Sequence, residues 1–209
     1  MNKARLIYID EDPEDIDYFQ EFVHGRFDLE VIRIENDSEL EEVVDGILHS
    51  MPDAVISDFM LNEKATVGFN GQALLEQLQR HNKHLPCFLL TSHAPGALEV
   101  THDARLVQSK AIMSADSDLS EMFLLQIGKM IVDYRDRFES AERELNALAQ
   151  ISVGDITAQQ RMRAIELDNY IEEHGLSSQA LPNEIKDERS IELLAELILH
   201  VDQLLEKNK

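Results

Sequence analysis

Five side chains within the first 110 residues of this 209-residue sequence have the types and order that chemistry at phosphorus needs: Asp10 and Glu11, then Asp58, Thr91 and Lys110. Two adjacent carboxylates with a third brought beside them would form an oxygen-rich site for a hard divalent cation. Mg²⁺ in particular is held by a few carboxylates, waters and phosphate oxygens rather than by a complete protein cage. Beside such a cation Asp58 could act as a nucleophile toward a phosphoryl group, because the positive charge offsets the repulsion between two anions. Lys110 would hold one phosphoryl oxygen as a point charge, and Thr91 would donate its hydroxyl to another.

Residues so far apart in sequence meet only if particular elements carry them. Leu6-Ile7-Tyr8-Ile9 runs into Asp10-Glu11-Asp12, Ala54-Val55-Ile56-Ser57 into Asp58, Phe88-Leu89-Leu90 into Thr91-Ser92, and Leu106-Val107 into Gln108-Ser109-Lys110. Short apolar runs of this kind, rich in branched or aromatic residues and each ending in a polar group, predict strands. Helical patterns lie between them. Asp12-Pro13-Glu14-Asp15 supplies an N-cap acceptor, a Pro at the first helical position and acidic residues against the positive end of the dipole. Ile16, Phe19, Phe22 and Val23 follow at helical spacing up to Gly25. Leu29, Val31, Ile32 and Ile34 predict a second strand, and Asp37 reads as the cap of a helix carrying Leu40, Val43, Val44, Ile47 and Leu48. Residues 59–70 read as a loop and residues 71–80 as a helix with Leu74, Leu75 and Leu78 on one face. The alternation predicts an α/β fold, a doubly wound five-stranded parallel sheet of the flavodoxin-like kind. In such a sheet the C-terminal strand ends converge on one crevice, where ligands bind.

The pattern changes at Asp118. Phe123, Ile127, Met130, Tyr134, Phe138, Ala141, Leu145 and Leu148 recur at steps of three and four, close to a heptad seam, with no Pro in residues 118–152. A helix over that span would be about 50 Å long, longer than a domain of this size accommodates. Its first part, to about residue 133, is expected to complete the sheet domain as a fifth helix. The rest must find another apolar surface. Residues 156–174 and 191–205 carry further amphipathic patterns, so residues 153–209 read as an all-helical C-terminal module. Three placements stay open: a bundle folded on the long helix, a homodimer through residues 118–152, or an arm awaiting a partner.

Forty-one acidic against nineteen basic residues give a formal charge of −22, and the excess runs along the whole chain. No segment concentrates the Lys and Arg that a nucleic-acid backbone or an anionic membrane requires. Cys87 is the single cysteine and lies inside an apolar run, as a small buried hydrophobe does, and no disulfide can form within the chain. The apolar stretch after Lys3 and Arg5 is too short for a signal peptide or a membrane span. A cytoplasmic protein is the expectation.

The set of Asp10-Glu11 followed by Asp12-Pro13, Asp58 after a third strand, Thr91 after a fourth and Lys110 after a fifth resembles the receiver domain of two-component response regulators. The resemblance covers residues 4 to about 133. It implies that Asp58 is the phosphoacceptor and that Mg²⁺ is held by Asp10, Glu11, Asp58 and the backbone carbonyl of Met60. Thr91 would be the switch hydroxyl and Lys110 the phosphate-sensing cation. It also implies that the phosphoryl group comes from a sensor histidine kinase or a phosphotransfer protein, and that the chain is no enzyme beyond slow autodephosphorylation.

Several departures stand out. Glu11 occupies a position where Asp is more common, and the loop after Asp58 is about five residues longer than usual, a candidate gate or partner contact. Ala111 follows Lys110 in place of the frequent Pro, Val107 replaces the aromatic switch residue, and His93 lies two residues beyond Thr91. Asp10-x-Asp12 also has the form of the opening motif of haloacid-dehalogenase-type phosphatases, but Pro13 follows at once and Asp116 with Asp118 makes a poor late metal pair. For the output, residues 153–209 carry a formal charge of −6 and no basic recognition helix. Protein interaction or dimerisation is therefore expected, with a phosphate sink or a nucleic-acid regulator as alternatives.

Overall fold

The computed structural model describes residues 3–92, 96–98, 101, 106–114, 118–152 and 155–174. Two compact units divide the chain, residues 1–136 and 137–209. His93 and the amphipathic pattern at 191–205 lie outside the described residues.

In the first unit, β1 (Arg5–Asp10), β2 (Asp28–Arg33), β3 (Ala54–Asp58), β4 (Cys87–Thr91) and β5 (Val107–Ser109) form one all-parallel sheet in the order β2-β1-β3-β4-β5. This is the doubly wound, flavodoxin-like arrangement that the alternating pattern predicts. β1, β3 and β4 are central, which explains their unbroken apolar runs: each has helices to cover both faces. Leu6 and Tyr8 join Ala54, Ile56, Phe88 and Leu90 on one face, beneath Ile16, Phe19 and Val23 of α1 (Pro13–Val23). Ile7 and Ile9 join Val55, Cys87 and Leu89 on the other, beneath α2 (Leu40–Ser50) and α3 (Gly71–His81). The alternation along each strand thus deals its residues to two cores.

A four-residue α4 (Ala111–Ser114) follows β5, and α5 (Asp118–Ala149) is the long helix. In the first unit Phe123, Leu124, Ile127 and Ile131 of α5 lie buried with the α1 face of the sheet. Leu124 and Ile131 fall outside the heptad seam, because a helix lying on a sheet buries a wider stripe than one facing a single partner helix. In the second unit Ala141 and Leu145 pack with Ile156 and with Ala164, Leu167 and Ile171 of α6 (Ala158–Glu172). Thr157 and Gln160 close a capping box at the start of α6.

One helix boundary differs from the sequence reading. Asp37 does not cap α2: it sits with φ at +64°, and Glu39 occupies the N-cap without a side-chain hydrogen bond. The amide of Asp37 instead donates to the carbonyl of Thr66, 3.1 Å away, tying the β2–α2 connection to the loop after β3. Asp tolerates the left-handed conformation better than most residues, so the same residue type serves a turn here rather than a cap.

Candidate functional site

The strand order reverses direction between β1 and β3, the topological switch point at which open α/β sheets form their crevice. Asp10 ends β1 and Asp58 ends β3, while Ser57 is paired with Ile9 and Asp58 with Leu90. Ligand atoms from Asp10, Glu11 and Asp58 all lie within 4.8 Å of one another, and all three residues are buried. Thr91, fully buried, ends β4 beside Ser109 of β5, and its carbonyl accepts the amide of Lys110 at 2.9 Å. The sheet thereby brings four strand ends and all five chemistry-bearing residues to one place.

Lys110 is the electrostatic centre of this arrangement. Its Nζ lies 2.7 Å from Asp58 Oδ1, 2.9 Å from Asp10 Oδ2 and 2.5 Å from Asp15 Oδ2. Burial pulls its ammonium toward deprotonation, yet the charges of Asp58 and Asp10 and the hydrogen bonds outweigh that, and its pKa is raised above the ordinary lysine value. Asp58 shows the opposite balance. Burial raises its carboxyl above the ordinary range and Asp10 adds to this, while Lys110 and the amide of Met60 hold it down in part. That amide donates to Asp58 Oδ2 at 2.5 Å, so Asp58 enters the site oriented at both oxygens.

Glu11 sits where its charged form is disfavoured. Burial pushes its carboxyl up to about 7; its own backbone amide opposes the rise, and Asp10 and Asp58 reinforce it. Its Oε2 is buried without a hydrogen-bond partner. A buried orphan oxygen beside two further carboxylates is the donor set a hard cation takes, so the residues present fit Mg²⁺. The carbonyl of Met60 accepts the amide of Glu63 at 2.9 Å, which occupies one of its two lone pairs.

Two residues at the site carry little sequence signal of their role. Tyr8 reads as an ordinary strand aromatic, but its hydroxyl donates to Asp10 Oδ2 at 2.5 Å, and its ring stacks on Phe19 with centroids 3.9 Å apart. Positions i and i+2 of a strand share a face, which is the only hint the sequence contains. Asp15 reads as a helix-dipole residue, and only the placement of α1 turns it toward Lys110. Gly71, the first residue of α3, approaches the end of β3 so closely that a β-carbon there would sit 1.8 Å from the Asp58 carbonyl oxygen. Asn70 caps α3 by accepting the Ala73 amide at 2.9 Å, fixing that approach.

The long loop after Asp58 is fastened down. Leu61 is fully buried, Phe59, Ala65 and Phe69 are nearly so, and all four belong to the core beneath α2 and α3. The amide of Thr66 donates to Asn36 Oδ1 at 2.8 Å, and Lys64 forms an ion pair with Asp12 at the start of α1. Beside it lies a groove of about 670 Å³ lined by Phe59, Met60, Glu63, Asn70, Gln72 and Glu76 among others. Among the described residues no helix is long and apolar enough to cross a membrane.

No protein-family model matches this chain, and no curated protein matches it. Solved structures similar to it include the apo form of the receiver domain of nitrogen regulatory protein C, 19% identical over 65% of this chain and 99% of that one, with a TM-score of 0.48. Another is the signal receiver domain of an HD domain-containing protein from Pseudomonas fluorescens Pf-5, 15% identical over 66% of this chain and 94% of that one, TM-score 0.48. A third is the RcsB response regulator of Salmonella typhimurium, 15% identical over 89% of this chain and 99% of that one, TM-score 0.47.

Proposed function

We propose that this chain is a response regulator that accepts a phosphoryl group on Asp58 from a histidine kinase or a phosphotransfer protein. The observation that carries this reading is the convergence of Asp10, Glu11 and Asp58 within 4.8 Å, with Lys110 seated against Asp58. Asp10, Glu11, Asp58 and the Met60 carbonyl would hold Mg²⁺, which would supply the positive charge that lets an anionic phosphoryl donor approach a carboxylate. An oxygen of Asp58 forms the new bond to phosphorus while the bond from phosphorus to the donor nitrogen or oxygen breaks, and the donor leaves with the electron pair. Lys110 then exchanges its contact with Asp58 for a phosphoryl oxygen, and the Thr91 hydroxyl turns to another. Met60 keeps Asp58 oriented through its amide.

The added phosphate brings about −1.5 to −2 charges. That charge draws Lys110 and Thr91 inward and shifts the chain that follows each of them, which is how the state of Asp58 reaches a partner surface. The C-terminal helices carry the output by protein interaction or dimerisation, in keeping with the acidity of the chain. The reading is tested by incubating the full chain with a phosphorylated kinase or phosphotransfer protein, reducing the product with borohydride and sequencing the peptides by mass spectrometry. Reduction of an aspartyl phosphate leaves homoserine. Homoserine at position 58 supports the reading, and labelling elsewhere or nowhere overturns it.

A further inference from the structure

Lys110 contacts three carboxylates, and the three differ in one respect that matters. Asp58 at 2.7 Å and Asp10 at 2.9 Å belong to the cluster that fits a divalent cation, while Asp15 at 2.5 Å does not. An ammonium group has three N–H donors and no acceptor, so this triad takes its whole capacity. A cation among Asp10, Glu11 and Asp58 competes for two of those three acceptors and sets two positive charges beside the Nζ group. Lys110 and the cation therefore oppose each other through Asp10 and Asp58. In the function proposed above, both act together on a phosphoryl group at Asp58.

Among the described residues Asp15 is the acceptor of Lys110 that lies outside the candidate cation cluster. It stands in the first turn of α1, whose start is fixed by Pro13 and by the Asp12 side chain accepting the Glu14 amide. Ile16, Phe19 and Val23 anchor the same helix in the core, so the carboxylate is carried on a rigid element. It reaches across 95 residues of sequence to a lysine side chain that is only 10% exposed. We infer that Asp15 is a positioning residue that retains Lys110 at the site when the cation is bound, allowing the two positive groups to act on one phosphoryl group. The inference rests on the cation reading given above.

A simple charge effect predicts something different, and a double-mutant cycle separates the two. If Asp15 acts only as a nearby negative charge, Asp15→Asn weakens Mg²⁺ binding equally whether or not Lys110 is present. If it acts through Lys110, its loss commits the ammonium more firmly to Asp10 and Asp58, and the cation has to displace it. Mg²⁺ affinity of the full chain, measured by titration calorimetry, is expected to fall about tenfold in Asp15→Asn but less than about twofold when the same change is made on Lys110→Met. Asp15→Glu is expected to restore much of the wild-type affinity.

Equal losses in the two backgrounds, or none in either, overturn the inference while leaving the cation site standing. Absence of saturable Mg²⁺ binding in the wild type overturns the cation reading and this inference with it. A second readout needs no Lys110 variant. In ¹⁵N-labelled protein saturated with Mg²⁺, the Lys110 ammonium signal is expected to be protected from water exchange in the wild type and lost in Asp15→Asn. Its persistence in Asp15→Asn contradicts the inference.

Discussion

The backbone of Gly71 lies so close to that of Asp58 that a β-carbon on Gly71 would sit 1.8 Å from the Asp58 carbonyl oxygen and 2.7 Å from Ser57 Oγ. The start of α3 and the end of β3 are thereby locked together, with the Gly71 amide donating to the Phe59 carbonyl at 3.0 Å. Gly71→Ala must push the strand end and the helix apart, since the obstructing atom is backbone and has no rotamer to escape into. The expected cost is about 3 kcal/mol of unfolding free energy, read from urea denaturation. Near wild-type stability would contradict the close approach.

Lys110 compensates Asp10 and Asp58 in the cation-free protein, and removing it leaves two buried carboxylates facing each other. Lys110→Met is expected to lose about 3 kcal/mol of stability without divalent cation. Saturating Mg²⁺ should recover most of that loss, because the cation supplies charge to the same two carboxylates. Denaturation curves with Mg²⁺ and with a chelator make the comparison. A loss that Mg²⁺ does not reduce would mean that Lys110 and the cation act on different groups.

The Tyr8 hydroxyl is buried against Asp10, and burial followed by the Asp10 charge raises its pKa, so it is a proton donor at neutral pH. Tyr8→Phe keeps the stack on Phe19 and removes only that donor. A hydrogen bond to a charged acceptor is worth about 2 kcal/mol, which is the expected drop in stability. An unchanged urea midpoint would show that Asp10 does not depend on Tyr8.

The carboxyl of Glu11 is raised from 4.5 to about 7, chiefly by burial. A raised acid binds its proton more tightly in the folded state than in the unfolded one. Its contribution is therefore fully present below the ordinary carboxyl value and is lost as pH rises through about 7. The cation-free protein is expected to lose stability across that window, and the slope should flatten with saturating Mg²⁺ and in Glu11→Gln. A slope undiminished in Glu11→Gln would assign it to another group, such as Asp58, whose carboxyl burial also raises.

Much of this site is legible in the sequence because the physics that marks it is local. A central strand has to be apolar along its length, so a carboxylate at its end stands out, and Asp10, Asp58 and Thr91 are found that way. What the sequence conceals depends on how elements pack. Asp15 looks like any acidic residue in a first helical turn until α1 is laid on the sheet. Tyr8 looks like core until its hydroxyl finds Asp10. Asp37 illustrates the reverse error: Asp suits a cap and a left-handed turn alike, and only the hydrogen bond to Thr66 decides between them. On α5 the spacing identifies the seam residues Phe123, Ile127, Ala141 and Leu145 but misses Leu124 and Ile131, which a sheet surface can bury and a narrow seam cannot.

Intact mass reads whether Asp58 is a cation-dependent phosphoacceptor. The full chain is incubated with acetyl phosphate in Mg²⁺ or in a chelator, with Asp58→Asn alongside. One phosphoryl group is expected to add to the wild type in Mg²⁺, and none in the chelator or in Asp58→Asn. Addition to Asp58→Asn, or no addition to the wild type with Mg²⁺ and a fresh donor, would contradict that role of Asp58.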